Sequence, residues 1–380
     1  MRKLWNKAAI AIFLVFVSRP GFAETNLAFS NTNFINSYKN PSGRTRVYDY
    51  NRLRADFSMK NTTEHIRVKG ILDFETYLSR NFLNTAAFDV IKKADPKLPF
   101  NPYTGMFKSN AFAGRCYLYR IYTELRSGRD DLILGLQRVP FGVGRLWTPT
   151  DTFNPVNALR VEAEERLGVF AINYTRHLTD FSSWKIISDF AEKMTVDKYG
   201  LRYKGYHQGI DMGVTYLQNA DFQMAGVEAE SNLLDTGVEV RSELGFFEHD
   251  DLNKRYFSGI LGLEYAFPKN ITVLTEYFYN GLGNEHKNEY DRSILINGNW
   301  NLSRHYLGLI LTGKINALTG ISLPIIYNIG DSSLFGGAAI SYSISDEATF
   351  NIGTNIFTGS TASEFAGYDN LYYLKFVQYF

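Results

Sequence analysis

The segment that runs from Gly135 to Arg166 contains the residues whose types and spacing are most suggestive of a function. Its candidate residues are charged or aromatic: Arg138, Arg145, Trp147, Asp151, Arg160 and Glu162. Charged side chains that line a narrow passage act on a passing ion through electrostatics, with no bond made or broken. The same stretch contains Pro140, Pro149 and Pro155, which cannot donate hydrogen bonds within a sheet. We therefore predict that residues 139–166 form a long structured loop.

The rest of the chain offers little evidence for catalysis or for a metal site. The sequence has no Gly-x-Ser-x-Gly nucleophile motif and a single cysteine, Cys116, which rules out an internal disulfide. Glu248, Asp250 and Asp251 could bind Ca²⁺, although an acidic external loop is the simpler interpretation. Histidines are scattered without the spacing of a zinc site, at positions 65, 177, 207, 249, 286 and 305. We predict no enzyme, no metal and no cofactor, and retain a barrel hydrolase as an alternative.

The N-terminus has the order of parts found in secretory signal peptides. Arg2, Lys3 and Lys7 precede an apolar run of ten residues, 8–17, and a small-residue site ends at Ala23. The apolar run is too short to span a bilayer as a helix. The pattern predicts a signal peptide over 1–23 and an exported chain over 24–380.

Composition excludes several classes of protein. The formal net charge of +1 gives no electrostatic basis for binding nucleic acid. No later stretch has the roughly 18 apolar residues of a membrane-spanning helix. Hydrophobic residues make up 45% of the chain and aromatic residues 15%, which is compatible with many β-rich folds.

Most of the chain shows the period-two alternation of β-strands. In the range 53–59, for example, apolar residues alternate with Arg54, Asp56 and Ser58, and the range 257–267 repeats the scheme. About 18 such strands can be counted, with 16 as the alternative. Even strand numbers are the rule for single-chain bacterial membrane barrels.

One face of these strands is apolar and the other is charged. In a membrane barrel the apolar face meets lipid and the charged face meets a wet lumen. The predicted lumen-facing residues include both signs of charge: Arg52, Arg54, Arg67, Asp73, Glu75, Arg120, Glu239, Arg241, Glu243 and Glu276. Cations and anions nearly balance, so selectivity is expected to come from the 139–166 loop.

The lengths of the connections distinguish the two ends of the predicted barrel. Long connections at 80–112, 139–166, 281–302 and 358–370 all fall on one side, and tight turns fall on the other. Outer-membrane barrels have short periplasmic turns and long external loops. The pattern predicts an all-β fold: a transmembrane, antiparallel, up-and-down β-barrel.

Two further stretches resemble those of known proteins. Residues 371–380 resemble the terminal strand of bacterial outer-membrane proteins, although Gln378 replaces a usual apolar residue. Residues 135–155 are similar to a motif of porin-like outer-membrane proteins of Gram-negative proteobacteria, and the resemblance extends to 331–333 and 363–365. It implies a bacterial outer-membrane location and recognition of the Phe380 strand by the assembly machinery.

The resemblance also implies a porin-like channel for passive diffusion of small polar solutes. Such a barrel would contact the lipid of the outer membrane, and it could form oligomers. Loop 139–166 then either folds into the lumen and narrows it or caps the mouth; we favour the inward fold, with Trp147 as packing. A barrel that holds a protein partner, such as an electron-transfer protein, is the other alternative.

Overall fold

The computed structural model describes residues 22–40, 42–61, 63, 65–79, 81–85, 88–89, 97–104, 107–234, 236–296 and 298–380. Residues 1–21, which make up most of the predicted signal peptide, lie outside the described residues. Among the described residues, no helix combines the length and the apolar character that crossing a bilayer requires.

Within the described residues, nineteen strands and four short 3₁₀ helices are assigned with both of their ends. The strands are β1 (Phe22–Lys39), β2 (Thr45–Asn61), β3 (Ile66–Leu78), β4 (Phe107–Lys108), β5 (Phe112–Ser127), β6 (Asp130–Gln137), β7 (Val169–Thr179), β8 (Ser182–Phe190), β9 (Val196–His207), β10 (Ile210–Asn219), β11 (Phe222–Asn232), β12 (Val238–His249), β13 (Lys254–Phe267), β14 (Ile271–Asn280), β15 (His305–Lys314), β16 (Thr319–Asn328), β17 (Leu334–Ser345), β18 (Ala348–Thr358) and β19 (Asn370–Tyr379). The 3₁₀ helices are Glu192–Met194, Lys287–Glu289, Arg292–Ile294 and Phe365–Gly367.

Eighteen of the strands form one closed antiparallel ring. Each ring strand pairs with the ring strands before and after it in sequence, so that β3 pairs with β5. β1 also pairs with β19, which closes the barrel. The remaining strand, β4, has two residues and pairs with the edge of β5. The predicted count of eighteen strands is therefore confirmed, and the alternative of sixteen is excluded.

Closure depends on the last residues of the chain. β19 pairs with β18 on one side and with β1 on the other. The N–H of Phe380 donates to the carbonyl of Phe29 at 2.9 Å, so pairing extends to the final residue. Because a closed barrel leaves no open sheet edge, all ring strands can satisfy their backbone groups within the protein.

Burial along the strands is the reverse of that in a soluble protein. On β12, Leu244 is 46% exposed whereas its neighbour Glu243 is 2% exposed. On β13, Leu261 and Leu263 are 54% and 43% exposed. Apolar side chains therefore point outward around the ring and charged side chains point inward. An outer surface of this kind is suited to lipid rather than to water.

The long connections lie at one end of the barrel. Residues 79–111, 138–168, 281–304 and 359–369 join strands at this end. Turns of two or three residues, at 128–129, 208–209, 268–270 and 346–347, join strands at the opposite end. The sequence-based division between long and tight connections agrees with this arrangement to within two residues at each boundary.

We expect Leu261→Arg to lower the free energy of unfolding in lipid vesicles by ~2–4 kcal/mol, because it places a cation on the lipid-facing side. The matched control is Gly262→Arg on the inward face, where a Cβ would meet Glu276 only at an ordinary contact of 3.6 Å. Urea unfolding monitored by electrophoretic mobility checks both variants. Equal losses would contradict the assignment of the two faces.

Candidate functional site

The connection between β6 and β7, residues 138–168, is called here the crossing segment. Pro140 follows β6 closely, and Gly142 has φ +76°, a left-handed conformation that favours glycine. A Cβ at Gly142 would overlap the carboxylate of Glu243, and one at Gly144 would overlap the carbonyl of Trp147. The prolines therefore end the strand, Gly142 lets the backbone approach the barrel wall, and Gly144 lets it pass close to the backbone of Trp147.

Two wall glutamates hold the first half of the crossing segment by its backbone. Glu243 of β12 accepts hydrogen bonds from the N–H groups of Val143 at 2.9 Å and Thr150 at 2.6 Å. Glu276 of β14 accepts from three consecutive N–H groups at 2.9 to 3.2 Å, those of Arg145, Leu146 and Trp147. An irregular backbone buried in the protein needs such partners because it has no ladder of its own.

Apolar packing reinforces these hydrogen bonds. The ring of Trp147 stacks on that of Phe278 with centroids 5.2 Å apart. Its Nε1 donates to Oδ1 of Asn301 at 3.1 Å. The rings of Phe141 and Phe153 also pack edge to face, with their centroids 5.4 Å apart. This half of the segment is therefore a packed element and not a solvated loop.

The second half of the crossing segment makes ion pairs with the far wall. Glu162 lies 3.1 Å from Arg52 of β2 and 2.9 Å from Lys375 of β19. Glu165 lies 2.9 Å from Arg54 of β2. Farther around the wall, the guanidinium of Arg120 on β5 donates to the carbonyl oxygen of Arg166.

These two sets of contacts are on opposite sides of the barrel. β2 and β12 are nine steps apart in a ring of eighteen strands. Since all of the contacting side chains point inward, the crossing segment reaches across the full width of the barrel, and any passage must run beside it.

The six candidate residues within the segment have different environments. Trp147 and Asp151 are buried, 6% and 1% exposed. Glu162 is engaged with Arg52 and Lys375. Arg145 is half-exposed and lies 3.6 Å from Glu230 and 3.7 Å from Glu239. Arg138 and Arg160 are exposed. The structure therefore brings Arg145, Trp147 and Glu162 to the wall but does not gather all six side chains around one point.

Asp151 organises the turn of the crossing segment. Its carboxylate accepts from the N–H of Asn154 at 2.8 Å and lies 3.4 Å from Arg166. Burial raises the pKa of Asp151 to about 6, against the opposing effects of these two partners. Asn154 in turn accepts from the N–H of Val139 at 2.6 Å, which joins the start of the segment to its middle. Asp151 thus positions the backbone and does not face a passage.

The ten wall residues predicted to face the lumen fall into two groups. Those that contact the crossing segment are Arg52, Arg54, Arg120, Glu239, Glu243 and Glu276. The others pair with neighbouring wall residues: Asp73 with Arg54, Glu75 with Arg115, Arg67 with Glu124, and Arg241 with Glu239 and Glu264. The charged interior is therefore largely paired.

The contributing residues that were not selected from the sequence include Glu165, Arg166 and Lys375. Glu165 and Arg166 belong to a visible run of charges, but nothing local shows which of them reach the wall. Lys375 could have been found, because it shares the inward face of β19 with Leu371 and Tyr373. A single charged residue in a largely apolar strand is a signal of an inward position.

The two outlying stretches of the family resemblance meet in the structure. The N–H of Glu364 donates to Asp331 at 2.6 Å. The carboxylate of Glu364 accepts from the N–H of Leu302 at 3.1 Å and from Nδ2 of Asn328 at 2.7 Å, and also from the hydroxyl of Tyr306. Glu364 thereby links connection 359–369 to connection 281–304.

A closed antiparallel barrel of eighteen strands with charged residues on its inner face is an architecture found among porins. No model of a known protein family matches this sequence, and no curated protein matches it. Solved structures do match. A BenF-like porin from Pseudomonas fluorescens has a TM-score of 0.60 at 9% identity, covering 95% of this chain and 99% of that one.

Two other solved structures are similar to the same degree. Acinetobacter baumannii OccAB1 has a TM-score of 0.58 at 10% identity, covering 96% of this chain and 98% of that one. The Pseudomonas aeruginosa outer membrane protein OprD has a TM-score of 0.57 at 9% identity, covering 96% and 95% respectively. The chain therefore has the fold of these outer-membrane porins, as the sequence resemblance predicted.

We expect the packing of connection 359–369 to depend on pH. Burial raises the pKa of Glu364 to about 7 from an ordinary 4.5. The raised pKa means that the packed connection binds the proton of Glu364 more tightly than the unpacked one does. The packed state is therefore most stable below about pH 4.5 and loses this stabilisation as the pH rises to about 7.

Hydrogen exchange of the Leu302 amide, corrected for intrinsic rates, should show at least about tenfold less protection at pH 8 than at pH 4.5. Glu364→Gln is the control, since it cannot ionise and its protection should not change with pH. Identical pH profiles for the two proteins would contradict the role of Glu364.

We expect Glu243→Ala with Glu276→Ala to release the first half of the crossing segment. Each buried N–H left without an acceptor costs ~1–3 kcal/mol. In planar bilayers the variant should show higher conductance and noisier current than the parent protein. Glu239→Ala is the matched control, because Glu239 contacts the side chain of Arg145 but holds no backbone group of the segment. Unchanged conductance in the double variant would show that the segment does not limit flow.

Proposed function

We propose that this protein is a channel of the bacterial outer membrane through which small polar solutes diffuse passively. The proposal involves no chemical step and no cofactor. The fold supports it, since barrels of 16 to 18 strands enclose an aqueous channel. The outward apolar surface supports a location in lipid, and the inward charged surface supports passage of polar molecules.

The observation on which the proposal depends most is the crossing segment held at both walls. Glu243 and Glu276 hold it on one side, and Arg52, Arg54 and Lys375 hold it on the other. A fixed element across the lumen narrows the passage to a defined width, which is a property required for selecting solutes by size and charge. We therefore propose that residues 138–168 form the constriction.

Membrane orientation follows from the two ends of the barrel. We propose that the tight turns face the periplasm and the long connections face outward, as in other outer-membrane barrels. The predicted signal peptide, 1–23, would direct export, and the strand that ends at Phe380 would be recognised by the assembly machinery. The same strand closes the ring, so assembly cannot be completed without it.

Recording from the purified protein in a planar lipid bilayer distinguishes this proposal from its alternatives. A channel gives stepwise conductance from the barrel alone. A scaffold for a protein partner would conduct poorly until the partner is removed, and a barrel hydrolase would cleave lipid or peptide substrates. Absence of conductance from correctly folded protein would contradict the proposal.

The charge of the crossing segment should set ion selectivity. Arg138 and Arg160 are exposed and Arg145 is half-exposed, and charges in a narrow passage lie within a Debye length of a passing ion. Replacing all three with glutamine should shift the reversal potential in a KCl gradient toward cations.

A matched control replaces three cations of connection 281–304: Lys287, Arg292 and Arg304. We expect this control to change the reversal potential and the conductance less than the crossing-segment variant does. Equal shifts from the two triple variants would mean that residues 138–168 do not form the selective part of the channel.

A further inference from the structure

A cluster of polar side chains interrupts the apolar outer surface of the barrel. It consists of Asn31 and Asn33 on β1 with Asp49 and Asn51 on β2. Nδ2 of Asn33 donates to both carboxylate oxygens of Asp49, at 3.0 and 3.1 Å. Nδ2 of Asn51 donates to Oδ1 of Asn31 at 2.9 Å. The four side chains are half-buried and bonded to one another.

The strand pattern places this cluster on the outward face. On β1 it alternates with the inward residues Phe34 and Asn36, which are 5% and 6% exposed. On β2 it alternates with Arg52, which is 8% exposed and points to the crossing segment. The cluster therefore faces away from the lumen.

Exposed apolar residues of the same face lie on both sides of the cluster along each strand. On β1, Phe29 is 40% exposed on one side and Ile35 is 45% exposed on the other. On β2, Val47 is 46% exposed and Leu53 is 39% exposed. The cluster thus lies within the apolar belt and not at its polar margin, where side chains could reach water.

Pairing with the neighbouring strands enlarges the cluster. Asn31 lies opposite Gln378 of β19, and Asn51 lies opposite Thr76 of β3. Along their strands, Gln378 and Thr76 lie on the same outward face as Leu374 and Phe74, which are 37% and 45% exposed. A continuous polar surface therefore extends over four adjacent strands, across the seam where the first and last strands meet. Gln378, which departs from the terminal-strand pattern, belongs to this surface.

Lipid tails cannot solvate such a surface. An amide group offers two donors and two acceptor lone pairs, and a carboxylate accepts several hydrogen bonds. The bonds within the cluster use only part of this capacity, and polar groups left without partners in hydrocarbon are costly. A second protein surface in the membrane would supply partners and exclude lipid from the cluster.

We propose that this polar surface is an interface through which the barrel associates with a second copy of itself. Amide side chains complement one another because each has both donors and acceptors, so the same surface can pair with itself about a two-fold axis. The acceptor-only Asp49 of one copy would face amide donors of the other. Polar side chains hydrogen-bond in this way between membrane-spanning elements.

The first experiment measures association in the membrane. Asn51→Cys is placed in a Cys116→Ser background, and outer-membrane vesicles are treated with a short thiol cross-linker. The expected result is a covalent dimer. Ser242→Cys in the same background is the matched control, since Ser242 faces outward on β12, far around the ring, and should give no dimer. Failure of Asn51→Cys to cross-link, or equal cross-linking at both positions, overturns the proposal.

The second experiment removes the polar groups. Asn33→Leu with Asp49→Leu should convert the native protein to monomers in native mass spectrometry from mild detergent. Heat-dependent electrophoretic mobility establishes that the variant barrel is folded, and Ser242→Leu should leave association unchanged. A double variant that is folded and still dimeric overturns the proposal, as does wild-type protein that is monomeric or holds only lipopolysaccharide. Conductance for each barrel should be the same in all of these proteins.

Discussion

The structure depends on how the backbone of an irregular segment is satisfied inside a barrel. The crossing segment has no ladder of its own, because its prolines and glycines prevent one. The carboxylates of Glu243 and Glu276 accept the hydrogen bonds that a neighbouring strand would otherwise accept. Without these two side chains the segment would have buried N–H groups without partners. The wall therefore determines where the segment lies, and the segment determines where a passage can run.

The charged side chains of the interior also need partners, as the backbone groups do. On the β2 side, wall arginines meet the carboxylates of Glu162 and Glu165. On the β12 side, wall carboxylates meet backbone N–H groups and the fully buried side chain of Arg241. Most interior charges are thus paired, which limits the cost of removing them from water. Arg138 and Arg160 are exposed and Arg145 is half-exposed, so we propose that these cations of the crossing segment act on a passing solute.

The outer surface of the barrel is apolar because it faces lipid. The polar cluster of Asn31, Asn33, Asp49 and Asn51 departs from this pattern and is informative for that reason. Polar residues on this face satisfy one another only in part. Inside the barrel, the same chemistry holds the crossing segment at both walls. Outside it, the same need of polar groups for partners in a region without bulk water underlies the proposed association with a second protein surface.

The sequence by itself determined the fold, because alternation has a period of two and is read locally along each strand. It also predicted the inward positions of wall residues such as Glu243 and Arg52, and the end of strand pairing at Pro140. Only the tertiary structure decided which of these charges meet. The contacts of Glu243 with Val143 and of Arg52 with Glu162 join residues about a hundred positions apart, and no local pattern encodes a partner at that distance. Asp151 shows the limit most clearly: its charge indicated a passage, but the turn around it is buried, since that carboxylate is needed to hold the backbone.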